Sequence, residues 1–284
     1  MSLTHNSTIR NLFTALLVAG LAAPSASAVV VSGTSSAVGI DVGITAAPIV
    51  EPGVGASLEI TAPDPTTTPN SGTAPDPYNV TKNIVALNVS SALGSVAATS
   101  GSTHFHSDVD GASGNRVAVG TSSIAAVGVA LLSAPGVPDL LSLSAETIAS
   151  TSTSSGDYNS LSSTGTTNLV NLMILIEGLE ISLDSNPAPN TTVYAGTTTT
   201  GIFGLSVILN EQITVGDGSG STGITTNAIH IILDSVTYGG VSGISGDIII
   251  GQSSSLLLAE VPEISQAAGV GILLSFAFFG RRRS

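Results

Sequence analysis

An antiparallel all-β domain, most simply a sandwich, is the fold this sequence predicts. Apolar residues alternate with Ser, Thr and Gly over long stretches, the period-two signature of strands with one buried face. β-branched residues are abundant, which suits a pleated surface. Clusters of Gly, Asp, Asn and Ser interrupt the alternation at intervals, as turns do. A parallel β-helix is the alternative architecture, although no fixed repeat of solenoid length stands out.

In chain order, the alternation covers "AVGIDVGI" (37–44), "ASLEI" (56–60) and "NIVALNVSSALGSVAATS" (83–100). It continues in "NRVAVGTSSIAAVGVALL" (115–132) and "LLSLSAETIAS" (140–150). The expected arrangement is apolar side chains inward and small polar ones outward. Turns are expected at "SDVDGASGN" (107–115), "SSGDYNS" (154–160), "GDGSGSTG" (216–223) and "TYGGVSGISGD" (237–247). The segment 62–79 carries five prolines, which remove ladder donors and fix φ, so it reads as a surface loop. "NLVNLMILIEGLEISL" (168–183) fits a helix or a buried strand pair; its Thr- and Ser-rich flanks and Gly178 favour strands with a kink at the glycine.

Composition narrows the function classes. Only 9% of the 284 residues are charged and 4% aromatic; tryptophan and cysteine are absent. Mean hydropathy is positive at +0.48, which separates the chain from disordered sequences of low hydropathy and high charge. The lack of cysteine excludes disulfides, thiol catalysis and cysteine metal sites. Four of the six basic residues lie at the two ends. Residues 29–263 hold Lys82 and Arg116 against all 19 acids, a net −17. Such a body repels nucleic acid and anionic membrane surfaces and would take calcium at most weakly.

Both ends carry addresses. Arg10, an apolar run from Leu12 to Ala23 and Ala26-Ser27-Ala28 have the order of a secretory signal, with signal peptidase expected to cut after Ala28. At the other end, Ile264 to Gly280 is mostly apolar and is followed by Arg281, Arg282 and Arg283. Seventeen residues of helix would span roughly 26 Å, barely the hydrocarbon thickness. The arginines are expected to stay cytoplasmic as a stop, with the body exported. The organisation expected is therefore signal peptide 1–28, β-rich extracellular domain 29–258 and a sorting or anchor segment 259–284. The set Val261-Pro262-Glu263, apolar segment and basic stop resembles the PEP-CTERM sorting signal handled by exosortases in Gram-negative bacteria. That resemblance implies an exosortase-like partner and a transient stay in the inner membrane through 264–280. Ile264 stands where the family usually has a second proline, which bears on processing more than on anchoring. A plain membrane anchor is the second reading of the tail.

A second resemblance lies upstream. "NPAPNTTV" (186–193), "LSVILNEQITVGDGSGSTGITTNAIHIIL" (205–233) and "SGDIIIGQSSS" (245–255) are similar to the choice-of-anchor P family of bacterial surface proteins. The resemblance implies an extracellular β-rich domain, and it brings no catalytic residue with it.

The most chemically loaded stretch is "HFHSDVDG" (104–111). In a strand, His104, His106 and Asp108 would share one face, a spacing that can serve a metal. A calcium loop counted from His106 fails, because its first position is not acidic and Val117 stands where a bidentate glutamate belongs. Structural zinc normally needs four ligands, and no local residue completes the set. The expectation is therefore a polar strand face entering a turn, with no metal or other cofactor. "GDGSGSTG" resembles a calcium-binding repeat but occurs once. His230 in "NAIHIIL" is expected to be a hydrogen-bonded strand histidine. Asp247 and Glu211 have few cations to pair with. Glu177 and Glu180 could in principle cleave glycosides, but the chain has few aromatic platforms. No nucleophile elbow, P-loop or dinucleotide fingerprint is present.

The function expected is that of an exported, non-enzymatic component of the cell surface or extracellular matrix, sorted through its tail and in contact with polysaccharide or matrix rather than nucleic acid. A divalent-cation-dependent adhesin is the first alternative and a secreted hydrolase the second.

Overall fold

The computed structural model describes residues 28–46, 56–62, 72–73, 76–84, 86–133, 136–184, 186–196 and 202–260. The expected signal sequence up to residue 27, and the sorting segment with Pro262, Glu263 and Arg281 to Arg283, lie outside them. Val29–Glu260 form one compact unit. The described residues contain no helix, and every strand pairing is antiparallel, which rules out the parallel β-helix.

Two sheets face each other. The first runs β13 (Thr191–Ala195), β14 (Leu205–Gly216), β15 (Ser221–Tyr238), β16 (Val241–Glu260), β1 (Val29–Ala46) and β2 (Ala56–Ala62), with the short β3 (Gly72–Thr73) also on β1. The second is centred on β8 (Arg116–Leu131) paired with β9 (Leu141–Gly156). The free side of β8 is shared by β7 (Ser100–Ser107), which carries β4 (Tyr78–Ile84), and β6 (Gly94–Ala98), which carries β5 (Leu87–Ser91). The free side of β9 is shared by β10 (Ser162–Val170) and β11 (Met173–Ile176), which carries β12 (Leu179–Glu180).

One turn differs from expectation. The cluster 237–247 is mostly strand: only Gly239 and Gly240 turn, both at positive φ, and the later glycines sit inside β16. The ambiguous 168–183 segment is strand, and its kink is a tight β11–β12 hairpin at Glu177 and Gly178, with φ of 51° and 76°. Within the proline-rich 62–79 segment, Ala62, Gly72–Thr73 and Tyr78–Asn79 are strand residues.

The side-chain alternation slips by one residue along a row that crosses the sandwich. In the first sheet consecutive residues are buried on each of four strands: Leu209–Asn210, Ile250–Gly251, Gly39–Ile40 and, on β15, the longer run Thr226–Ile229 that includes Ala228–Ile229. Their registers coincide, since Leu209 pairs with Ile229, Ile229 with Ile250 and Ile250 with Ile40. In the second sheet two consecutive residues face away from the interior, Ala125–Ala126 on β8 opposite Glu146–Thr147 on β9. Left-handed residues mark the row: Asn210 (φ 52°), Gly251 (67°) and Ala126 (49°). One slipped residue moves every later side chain to the opposite face.

The slip divides the interior into two halves. On one side lies an aliphatic core, including Ile44, Val129, Leu141, Leu143, Val207, Ile231 and Ile248. On the other side the expected polarity is inverted. Ser122, Ser150, Ser152, Ser154, Thr226, Ser253 and Ser255 are buried, while Ile213 and Val215 are more than half exposed at 51% and 55%. A hydroxyl interior works here because the sheets approach closely. A Cβ on Gly120 would lie 2.5 Å from the carbonyl oxygens of both Ser36 and Ser254 on the facing sheet. Serine side chains therefore reach across to backbone acceptors, as Ser122 Oγ does to Val38 O at 3.0 Å and Ser152 Oγ to Ser253 O at 2.9 Å. Side-chain pairs complete the seam: Ser150 with Ser253, Ser152 with Thr226 and Ser154 with Ser255, all at 2.9 Å. Burying these hydroxyls is tolerable only because each finds a partner. A small apolar cluster of Val30, Val109, Ala118, Leu161 and Leu257 closes the far end. There Val29 pairs with Glu260, so the chain enters and leaves the domain at neighbouring positions.

Candidate functional site

The stretch 104–111 begins on β7 and ends in the loop before β8. Phe105 and Ser107 point inward, while His104 and His106 share the outer face as expected of alternate strand residues. Their rings lie nearly parallel, 7° apart, with centroids separated by 6.4 Å. His104 Nε2 is bonded to Asn79 Oδ1 of the neighbouring β4 at 2.9 Å. Asp108 does not join them, because the strand has ended. Its Oδ1 accepts the Val117 N–H at 2.6 Å and closes the base of the 108–116 loop. Asp110 is held within the same loop by Arg116 at 2.6 Å and by the Ala112 N–H at 2.9 Å. The loop acids thus serve their own backbone and the one nearby guanidinium.

The densest polar cluster lies elsewhere, on the outer face of the first sheet beside the slipped row. His230 on β15 has Nδ1 2.8 Å from Glu211 Oε2 and Nε2 3.3 Å from Asp247 Oδ1. Asn227 Nδ2 donates to the same Glu211 oxygen at 2.6 Å, and Gln252 Nε2 donates to Asn227 Oδ1 at 2.9 Å. Three central strands, β14, β15 and β16, are tied together by side chains in this way. The two carboxylates approach opposite nitrogens of one ring, so they flank the imidazole and do not converge on a common point. Among the described residues no group of three or more His, Asp or Glu could hold a metal ion. The sequence had marked His230, Glu211 and Asp247 singly; their meeting follows from hairpin register, with Leu209 opposite Ile229 and Ile232 opposite Asp247.

The "GDGSGSTG" segment is the β14–β15 turn. Asp217 Oδ1 accepts the N–H groups of Ser219, Gly220 and Ser221 at 2.9, 2.8 and 3.1 Å. These bonds hold its carboxyl below the usual carboxylate range. Glu177 sits in the β11–β12 turn and Glu180 on β12, an exposed two-residue strand. The recess at the aliphatic end, lined by Ile44, Leu93, Leu131, Leu132, Leu140, Leu233 and Ile244, offers no polar side chain for chemistry. No protein-family model, curated protein or solved structure matches the chain.

Proposed function

We propose that this chain is an exported structural component of a bacterial cell surface or extracellular matrix, without enzymatic activity and sorted through its C-terminal segment. The observation that carries the reading is the pair of address signals at the two ends of the sequence, the secretory pattern ending at Ala28 and the Pro262-Glu263, apolar and triple-arginine tail. The fold is compatible with it. β1 starts at Val29, directly after the expected cleavage point, and pairs with the last residue of β16. A tether attached beyond Glu260 would therefore hold the slab by one end. The acids of the 108–116 loop and the β14–β15 turn and the His230 cluster are engaged with neighbouring groups, which favours a scaffold over a reactive cleft. The acidic turns at Asp110 and Asp217 are occupied by their own backbone, which argues against the cation-dependent adhesin.

Fractionation of the native cell with mass spectrometry of both termini tests the proposal. The expected result is envelope or extracellular material that begins at Val29, with the tail either membrane-bound or removed. Cytosolic protein retaining residues 1–28 and Arg281 to Arg283 would overturn it.

A further inference from the structure

We infer that β16 is a completion strand: the sandwich closes only when residues 241–260 are in place, and the earlier chain stays unfolded until then. The first strand of the domain and its last are partners. β1 pairs with β16 from Val29–Glu260 to Thr45–Ser245, and β16 pairs on its other side with β15 along nearly its whole length. It is the central strand that joins the β13–β14–β15 half of the first sheet to the β1–β2 half. Without it, β1 keeps only the short partners β2 and β3.

The second sheet depends on it as well. Ser253 and Ser255 supply partners to Ser150, Ser152 and Ser154 of β9, and Ile248, Ile250 and Leu257 fill both apolar clusters. Removing β16 would strip Ser150 and Ser154 of their side-chain partners and open the seam to water. The contact that seals the fold, Ser36 Oγ to Ser254 Oγ at 2.6 Å, spans 218 residues of chain. Such long-range pairing is entropically expensive until everything between is ordered.

The biological meaning rests on the export reading above. A chain that emerges from its N-terminus cannot fold before its final strand appears, so it remains extended enough to be threaded across a membrane. The tail then begins immediately after the strand that completes the fold.

The test uses the full chain with a protease site inserted between Gly239 and Gly240 at the β15–β16 turn. The folded protein is cut there, and the two pieces are separated in denaturant and returned to buffer. The large piece alone is expected to lose its cooperative thermal transition and its protease resistance completely, and remixing with the C-terminal piece that begins at Gly240 is expected to restore both. A large piece that keeps a cooperative transition overturns the inference, and so does one that stays unfolded after remixing. This outcome does not depend on where the cell puts the protein, so it stands or falls separately from the fractionation result.

Discussion

The two halves of the sandwich solve the same packing problem with opposite chemistry. In the aliphatic half, branched side chains such as Leu143, Ile231 and Ile248 fill the space between the sheets. In the hydroxyl half, glycine and serine let the sheets close until side chains touch the facing backbone. The first half gains from apolar area removed from water. The second gains from hydrogen bonds and close dispersion contact, and its stability rests on the pairing of the serine and threonine hydroxyls along the β9–β15–β16 seam. The slipped row makes both possible on the same strands, because it exchanges inner and outer faces without ending a strand.

The comparison can be broken most severely at Gly120. Gly120→Val would push carbon into the carbonyl oxygens of Ser36 and Ser254, and the expected loss exceeds the ~1–3 kcal/mol usual for overpacking. Thermal denaturation should show little or no folded protein. A control lies on the outer face of the same strand. A Cβ at Gly128 meets nothing within 4 Å, so Gly128→Ala should change stability by no more than about 0.5 kcal/mol. Next in size is Ile231→Ala in the aliphatic half, where a fully buried side chain is removed; urea unfolding should give a loss of about 2–5 kcal/mol.

Ser152→Ala probes the seam more gently. It removes almost no volume but takes a partner from Thr226 Oγ1 and from Ser253 O, and the expected loss is about 1–3 kcal/mol by the same measurement. The smallest effect is the pH dependence of the β14–β15 turn. Asp217 has a lowered pKa when folded, so its contribution is present above the ordinary carboxylate pKa and disappears as pH falls through the folded value. Asp217→Asn should therefore lower stability slightly near neutrality, and the difference should vanish as pH falls well below about pH 4, where Asp217 is itself protonated. Melting temperatures of the two proteins from pH 2 to 7 measure it.

Much of the strand content was legible because alternation is a local signal. The long strands β1 and β9 run past the stretches that announced them, while β8 lies within its own, and the cores of all three are the alternating runs. The facing of those strands was not legible. Period-two spacing says that two faces differ, not which one is buried, and one slipped residue reverses the answer. At Ile250–Gly251 the slip is a single pair of adjacent buried residues within an otherwise regular run. The glycines of 237–247 suggested a broad loop because glycine count alone cannot separate a turn from irregular strand. Of the candidate site, the shared face of His104 and His106 followed from strand geometry. Asp108 left that face because β7 stops at Ser107. The His230 cluster needs the pairing of β14, β15 and β16, which is a tertiary fact.

Native-state hydrogen exchange decides whether the two halves are one interior. The amides of Ser152, Thr226 and Ser253 should exchange with the same opening free energy as those of Ile229, Ile231 and Ile250, set by global unfolding. Exchange in the serine set faster by about a hundred-fold or more would mean that this half opens on its own, and the close-packed hydroxyl interior would not be part of the cooperative core.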